Sequence, residues 1–361
     1  MDIAVPAAPE VSIIVPARNE EVCLGDCLTS LVAQTGVACE VIVVDDHSTD
    51  RTRAIAESFA GVRVISPGPL PEGWTGKNNA VAAGVREVRG EWLLFTDADT
   101  VHGEGSLKRA VAEAKANRAD LLSYSPEQIA VSFWEKAVMP VVFAELAAEY
   151  PPEKVRDPHS GVVAANGQYI LARRDAYEAT GGHQAVASSL LEDVALARDF
   201  RTAGYKIYFR YGADAVRTRM YRSWAQLREG WTKNLALLFP RPLRRALGLV
   251  GWWAFSWITL FLGVAGMVTG RWRTLFYFLP MTLLYVRMAR GSFRTAANLV
   301  AIGFGPPVFA YLLLRSKKAH AQGNVAWKGR NYSGGSPVKT APHQKWECSE
   351  GRVTVPAAKV L

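Results

Sequence analysis

The sequence predicts an α/β domain with a mostly parallel sheet, followed by apolar segments that enter a membrane. Three observations support this fold class: apolar runs alternate with helical patterns over residues 11–235, acidic clusters follow several of those runs, and a charge-free segment of spanning length comes afterwards. Strands that alternate with helices are typical of βαβ units. The chain has 361 residues and is 49% hydrophobic, which suffices for a buried core and excludes disorder for most of its length.

Apolar runs bounded by polar residues predict the strands of this domain. They occur at residues 11–15, 40–44, 62–65, 92–96, 121–124, 167–172 and 206–209. Helical patterns occur between them, at residues 20–34, 49–59, 77–88 and 133–150. The alternation predicts one domain over residues 11–235, after a loosely ordered leader of residues 1–10.

The character of the chain changes in the region 236–318, which contains three apolar segments. Residues 247–269 are uncharged and long enough to cross a hydrocarbon core of about 30 Å as a helix. Residues 274–286 form a shorter segment. Residues 296–314 reach spanning length but contain two adjacent prolines, so we expect this third segment to be kinked or re-entrant.

Basic residues flank the apolar segments and predict their orientation. The clusters are Arg241, Arg244 and Arg245, then Arg287, Arg290 and Arg294, then Arg315, Lys317 and Lys318. All three favour the cytoplasmic side, which three full crossings cannot satisfy. We therefore expect two crossings and a re-entrant or interfacial third segment in a multi-pass protein of the cell (inner) membrane. The α/β domain and the tail of residues 319–361 are then cytoplasmic.

The net charge of +9 also bears on the class of partner. The excess positive charge lies chiefly near the apolar segments and in the tail, where anionic lipid headgroups explain it. This distribution argues against nucleic acid as a partner. No basic region followed by an apolar run opens the sequence, so we expect no secretory signal.

Acidic residues follow two of the predicted strands, with Asp46 after the second and Asp97 and Asp99 after the fourth. Ligands of parallel α/β sheets bind beyond the carboxyl ends of the strands, so these clusters are expected to converge on one nucleotide-binding crevice. Carboxylates two residues apart on an extended backbone point the same way and can bind a hard divalent cation. The alternative is that Asp97 and Asp99 only cap a turn or a helix start.

Five short motifs occur in order along residues 11–234. They are VSIIVPARNEE at residues 11–21, VIVVDDHSTD at 41–50, KNNAVAAG at 77–84, DAD at 97–99 and LED at 191–193. In this series the chain resembles the family 2 glycosyltransferases, which have the Rossmann-like GT-A fold. The resemblance implies an inverting enzyme that moves a sugar from a nucleotide-sugar, with a UDP-sugar favoured, to an acceptor.

The resemblance also implies roles for individual residues on the donor side. Pro16, Asn19 and Glu20 would form the first loop under the nucleotide, and Asp46 would accept a hydrogen bond from the base. Lys77 would face the diphosphate, although an exposed lysine at a helix start is the alternative. Asp97 would contact the ribose or a metal-bound phosphate, and Asp99 would ligate Mn2+ or Mg2+.

The late acidic pair is implied to be the catalytic one. Asp193, beside Glu192, would act as the general base that takes the proton from the acceptor hydroxyl. A simple helix cap is the alternative. His183 follows two glycines and is a candidate acceptor contact or an ordinary exposed loop residue.

Residues 222–234 follow the catalytic motifs. Processive synthases of the family have a Gln, two spacers, Arg and Trp here, but Gln226 is followed by a different spacing that ends at Trp231. This departure favours single transfers over polymer synthesis. Arg228 and Trp231 could flank the acceptor or diphosphate, or the segment could be an amphipathic helix lying on the membrane.

Two further segments narrow the resemblance. Residues 70–77 (LPEGWTGK) and 325–332 (VAWKGRNY) are similar to segments of the glycosyltransferases associated with carotenoid and hopanoid pathways. This implies a lipid or membrane-proximal hydroxyl acceptor. A polyprenyl-phosphate glycosyl synthase is the alternative within enzymes, and a non-catalytic, sugar-nucleotide-binding membrane scaffold is the alternative of another class.

Overall fold

The computed structural model describes residues 8–291 and 293–332. Most of the predicted leader and the tail beyond Tyr332 lie outside the described residues. The strands are β1 Val11–Ala17, β2 Cys39–Asp45, β3 Val62–Ile65, β4 Trp92–Phe95, β5 Thr100–His102, β6 Leu121–Ser125, β7 Glu127–Gln128, β8 Ile170–Arg173, β9 Ile207–Tyr211, β10 Val216–Thr218, β11 Val325–Trp327 and β12 Arg330–Tyr332.

Thirteen α-helices are found in the described residues. They are α1 Leu24–Val32, α2 Thr52–Glu57, α3 Gly76–Val85, α4 Ser106–Ala116, α5 Phe133–Glu149, α6 Pro152–Arg156, α7 Arg174–Ala179, α8 Gly182–Ala185, α9 Glu192–Thr202, α10 Trp224–Leu238, α11 Pro242–Val268, α12 Leu279–Ala289 and α13 Thr295–Ala321. A 3-10 helix, Trp272–Phe278, precedes α12.

The central sheet confirms the α/β prediction. Its seven strands have the order β3-β2-β1-β4-β8-β6-β9, and β8 runs antiparallel to both neighbours while the other pairs are parallel. Alternate residues of each strand point to opposite faces. Ile13 accordingly packs in one buried cluster and Ile14 in the other, so helices cover both faces of the sheet.

Two smaller sheets were not predicted. The strands β5, β10 and β7 form one of them, and β11 pairs with β12 in a hairpin near the end of the described chain. Their strands have only two or three residues each, too few to give an alternating pattern in the sequence.

The apolar region contains two helices that are long and apolar enough to cross a membrane, α11 and α13, each of 27 residues. The middle segment is divided between the 3-10 helix and α12. The third segment, for which we expect a kink or a re-entrant path, forms one helix, and α13 continues through Pro306 and Pro307. Pro306 cannot donate to the carbonyl of Ile302, and that carbonyl instead accepts from Trp253 Nε1 at 2.8 Å.

The apolar helices share a core with the α/β domain. One buried cluster contains Val141 of α5, Leu235 of α10, Leu249 of α11 and Phe309 of α13. Helix packing is close, because a Cβ on Gly305 would lie 2.4 Å from the carbonyl oxygen of Ala137. The expected domain boundary at residue 235 therefore falls inside α10, on an element that belongs to both parts.

Candidate active site

A cleft of about 630 Å³ lies at the carboxyl ends of β1, β2 and β4. It brings together the predicted residues Pro16, Asn19, Glu20, Asp46, Lys77, Asp97, Asp99, Glu192, Asp193 and Trp231. His183 and Arg228 do not line it. The convergence follows from the parallel sheet, since these strands deliver their loops to one edge.

The loops after β1 and β2 are joined by Asn19, which has a left-handed backbone with φ of 54°. Its Oδ1 accepts from the Thr49 amide at 2.8 Å, and its own amide donates to Ser48 Oγ at 3.0 Å. The Glu20 amide donates to Thr52 Oγ1 at 2.7 Å. These bonds hold both loops in one wall of the cleft.

The turn that carries Asp97 and Asp99 rests on a buried polar network. Thr100 Oγ1 donates to the Asp97 carbonyl at 2.7 Å, and Thr218 Oγ1 donates to the Asp99 carbonyl at 3.1 Å. His102 Nε2 lies 3.1 Å from Thr100 Oγ1, and burial lowers the pKa of this imidazole to about 3, so it is neutral. The network holds the backbone of the turn that carries both aspartates, and nothing in the sequence pattern indicated it.

The Asp99 carboxylate is suited to a divalent cation. Its Oδ1 atom is buried and has no hydrogen-bond partner. Burial, together with the charges of Asp97 and Glu20, raises the pKa of Asp99 to about 7. A buried oxygen that lacks a donor, beside other carboxylates, fits a hard cation. No group of three or more metal-ligating side chains occurs in the described part of the chain, so the remaining ligands would have to come from the substrate.

Lys77 connects the two acidic motifs. It lies in the first turn of α3, and its Nζ is 2.6 Å from Asp97 Oδ1 and 2.7 Å from Glu192 Oε1. Burial opposes the charge, but the two carboxylates hold the pKa of Lys77 well above its ordinary value. The ammonium group is therefore a fixed positive charge in the middle of the cleft.

Glu192 and Asp193 occupy the first turn of α9 but have different environments. Although burial disfavours its ionised form, the charges of Lys77 and Lys233 lower the pKa of Glu192 to about 2. Among the described residues no cation lies within salt-bridge distance of Asp193, and its oxygens accept from the amides of Gly167 and Val194 at 2.9 and 2.8 Å. Burial and the neighbouring Glu192 raise the pKa of Asp193 to about 6. Such divergence between paired carboxylates is typical of acid–base sites.

His183 lies beneath the cleft in the short helix α8. Its Nδ1 is 2.9 Å from the Tyr177 hydroxyl, and its ring centroid is 5.0 Å from that of Phe95. Burial lowers the pKa of His183 to about 4. It is thus a neutral packing residue, and the expectation of an acceptor contact or an exposed loop residue does not match its position.

Helix α10 contributes the predicted Trp231 together with Lys233 and Asn234, which the sequence analysis missed. Trp231 lines the cleft with an indole Nε1 that has no partner, and Asn234 does so with an unpartnered Oδ1. Lys233 also lines the cleft, whereas Arg228 lies outside it. The unpaired polar atoms are available to a ligand, because buried groups of this kind normally find a partner.

One end of the cleft is apolar. Its lining includes Phe143, Leu146 and Ala147 of α5 together with Leu238 of α10. The Tyr150 hydroxyl donates to the Leu238 carbonyl at 2.6 Å and joins the two helices there. Both helices also pack against the apolar helices α11 and α13, so this end of the cleft adjoins the membrane region.

The hairpin β11–β12 covers the other end of the cleft. Arg330 donates to both oxygens of Asp46, at 2.5 and 3.1 Å, and Lys328 Nζ contacts Glu20. The hairpin coincides with residues 325–332, the tail segment of the carotenoid and hopanoid resemblance. Its contacts with Asp46 and Glu20 are not indicated by the sequence. These two residues lie some 280 to 310 residues earlier in the chain.

Comparisons with known proteins concern the family and the fold of this chain. Residues 12–181 match the model of the family described as glycosyl transferase family 2. The 4,4'-diaponeurosporenoate glycosyltransferase of Staphylococcus aureus strain MRSA252 is 29% identical over 345 residues, which cover 90% of this chain and 88% of the relative. The same enzyme from strain USA300 is 28% identical over the same length.

A solved structure supports the fold. The mannosyltransferase of Pyrobaculum calidifontis, in complex with GDP-Man and Mn2+, matches with a TM-score of 0.51 and 18% identity over 87% of each chain. At that identity the likeness concerns the fold alone. The family match over residues 12–181 and the named relatives support a glycosyltransferase enzyme with a family 2 domain, and the solved structure supports its GT-A fold.

Proposed function

We propose that the protein is an inverting glycosyltransferase that moves a sugar from a nucleotide-sugar to an apolar membrane lipid. The observation that carries this proposal is the two-ended cleft. One end gathers carboxylates and cations beside the carboxyl ends of the strands, and the other is apolar and adjoins the membrane helices. A soluble acceptor would have no need of the second end.

The donor is bound at the charged end. Asp46, on the loop after β2, accepts a hydrogen bond from the base, which suits the N3–H of uracil, and Pro16 and Asn19 lie under the nucleotide. Asp97 contacts the ribose or a metal-bound phosphate. A divalent cation, when bound, compensates the charge that develops on the diphosphate. Asp99 would hold it with Asp97, and the unpartnered Oδ1 of Asp99 supports this assignment.

Asp193 is the general base in this proposal. It takes the proton from the acceptor hydroxyl, whose oxygen forms a bond to the anomeric carbon while the bond from that carbon to the diphosphate breaks. The electron pair leaves with the nucleoside diphosphate. A single displacement inverts the anomeric carbon. A carboxylate with a raised pKa is the stronger base, and the amide of Gly167 fixes its direction.

The lipid acceptor is supported by two observations. The apolar end of the cleft is lined by α5 and α10, which also pack against the membrane helices. The Staphylococcus aureus relatives carry a name in which 4,4'-diaponeurosporenoate is the acceptor. The ending of that name denotes a carboxylate. A carboxylate acceptor is ionised at neutral pH and needs no general base. A carboxylate lipid is therefore the second candidate acceptor, and a polyprenyl phosphate shares the property.

Asp193→Asn separates these acceptors. Purified protein in detergent is incubated with UDP- and GDP-sugars and a lipid extract, and products are identified by mass spectrometry. With a hydroxyl acceptor the variant binds donor normally but forms no product, because an amide takes no proton. Asp199→Asn, on the same helix and outside the cleft, is the control. Comparable turnover in Asp193→Asn would indicate an ionised acceptor instead of a hydroxyl. If the wild type forms no glycosylated lipid with any donor, the proposal is refuted.

A buried carboxylate where the α/β domain meets the apolar helices supports a proposed path of these helices through a membrane. Glu145 of α5 is fully buried and accepts from Arg245 Nη1 at 2.8 Å and from Arg287 Nε at 2.8 Å. Arg245 lies near the start of α11 and Arg287 near the end of α12. The start of α11 and the end of α12 therefore contact the same residue, Glu145. Because of this, we infer that α11 enters the membrane and that the 3-10 helix and α12 return to the same side.

Helix α13 then lies against the cytoplasmic domain as the interfacial third segment. Its early part packs on α5 at Gly305, and its late part contacts α10, where Ser316 Oγ accepts from the Ala236 amide at 2.9 Å. Substituted cysteines test this topology in sealed cells after the native cysteines are replaced. Trp272→Cys, in the 3-10 helix that follows α11, should react with a membrane-impermeant reagent, and Asn331→Cys in β12 should not. Labelling of Asn331→Cys from outside would make α13 a crossing.

A further inference from the structure

The hairpin β11–β12 places two cations on carboxylates of the charged end of the cleft, called the donor end below because the donor is proposed to bind there. Lys328 Nζ contacts Glu20 Oε1 and lies 3.4 Å from the Arg18 carbonyl oxygen. Arg330 binds both oxygens of Asp46. The space beside Asp46 is tight, since a Cβ on Gly76 would lie 1.6 Å from Arg330 Nη1. The hairpin therefore touches the pocket through charged side chains that each have an acidic partner.

The hairpin is also fixed to α10. The Lys328 amide donates to Glu229 Oε1 at 3.1 Å, and Lys233 Nζ lies 5.5 Å from the ring centroid of Trp327. Arg330 adds the bidentate pair to Asp46. Two sides of the cleft thus hold the hairpin in place, and its tip carries Lys328 into the donor end.

The tip has an unusual residue for its conformation. Lys328 and Gly329 both have positive φ, 46° and 74°, as a two-residue type I′ hairpin turn requires. Asn or Asp is favoured over lysine at the first position, because a residue with a long side chain is strained there. The strained lysine points to a use for its ammonium group.

The charges of the donor end indicate that use. Glu20, Asp97 and Asp99 all line this end of the cleft, where Lys328 Nζ contacts Glu20. Lys77 is already shared between Asp97 and Glu192. The diphosphate of a nucleotide-sugar is a dianion, so a divalent cation that enters with it balances its charge but leaves the three carboxylates uncompensated. Lys328, whose one carboxylate partner is Glu20, is a cation at this end that is available to the diphosphate.

We propose that Lys328 binds the donor diphosphate and that Arg330 is the positioning residue that holds the hairpin over the pocket. This inference rests on the proposed function. Asp97 and Asp99 would hold a divalent cation, which would supply positive charge beside Glu20, and Lys328 would then direct its N–H donors to nearby phosphate oxygens. It then stabilises the leaving nucleoside diphosphate as the bond to the anomeric carbon breaks.

Lys328→Asn tests the charge without loss of the hairpin. The variant creates an Asn-Gly turn, which favours the same backbone, but deletes the ammonium group. Binding of UDP, GDP and their nucleosides to the full chain in detergent with Mn2+ is measured by calorimetry. The diphosphate that the wild type prefers should bind about tenfold or more weakly to the variant, the magnitude of a lost charge-assisted hydrogen bond. The matching nucleoside should bind equally well to both proteins.

Two further variants complete the test. Lys328→Arg should recover most of the diphosphate affinity, and Lys317→Ala, an exposed lysine of α13 outside the cleft, should leave it unchanged. Unchanged or tighter diphosphate binding in Lys328→Asn overturns the inference, and tighter binding would make the hairpin an inhibitory latch. A wild type that binds neither diphosphate with Mn2+ would refute the proposed function itself.

Discussion

The two ends of the cleft are built from different kinds of element. Loops after β1, β2 and β4 supply the charged end, where polar side chains such as Asn19 hold one loop to the next. Helices supply the apolar end, where Leu146 and Leu238 belong to helices that contribute residues to one buried apolar cluster. The charged end is therefore set by a few hydrogen bonds and ion pairs, and the apolar end by shape. Single substitutions should affect the two ends by different mechanisms.

The largest effect is expected at the charged end. Asp99→Ala should reduce transfer at least about 100-fold, because it removes an electrostatic contribution to the transition state while leaving the core intact. Release of nucleoside diphosphate in the presence of Mn2+ is the measurement. Asp26→Ala, on the exposed side of α1, is the control. Retention of more than about a tenth of the activity would remove the metal role from Asp99.

Protonation should affect the same end less strongly. Asp193 accepts a proton only as a carboxylate, and its pKa is raised to about 6, so kcat should fall as the pH drops through that value. The loss approaches about tenfold per pH unit below it, at saturating metal and donor. Glu192→Gln removes the neighbouring negative charge and should move the acidic limb of the kcat–pH profile to lower pH. A wild-type limb near the ordinary aspartate pKa of about 4 would contradict the assignment of Asp193 as the base.

The smallest effect is expected from filling the apolar end. Ala147→Trp places an indole in the acceptor part of the cleft and should lower kcat/KM for the lipid about tenfold, the order of a 1.4 kcal/mol steric cost. Donor affinity should stay the same, because the charged end is untouched. Ala148→Trp adds the same side chain at the neighbouring exposed position and is the matched control. Equal losses in both variants would mean that the acceptor binds elsewhere.

The central sheet and most of the donor end could be predicted from the sequence. All seven strands of the sheet coincide with apolar runs, because buried parallel strands are continuous in hydrophobicity. Asp46, Asp97 and Asp99 were expected at one edge for the same reason, since strand ends determine where their loops meet. Local pattern and sheet geometry were sufficient for these residues.

Contacts between distant parts of the chain could not be predicted. Lys233 has no motif around it, and its position in the cleft depends on how α10 packs against α5 and α13. His183 follows Gly181 and Gly182, which suggested an exposed loop, yet α8 is buried against Tyr177. Gly182 is required there by close approach, because its Cβ would lie 2.3 Å from the Tyr177 ring. Packing of this kind leaves no periodic signal.

The core shared by α5, α10 and the apolar helices has a consequence for biogenesis. Val141 is buried by residues near Phe309, which the ribosome adds much later in synthesis. Until α11 to α13 have emerged and reached the lipid, α5 has no partner for this face, and the apolar end of the cleft has no completed wall. In this order of events the apolar end of the cleft is completed after the loops that supply its charged end. A chain that fails to insert would be left without a finished acceptor site, so it would not glycosylate in the cytosol.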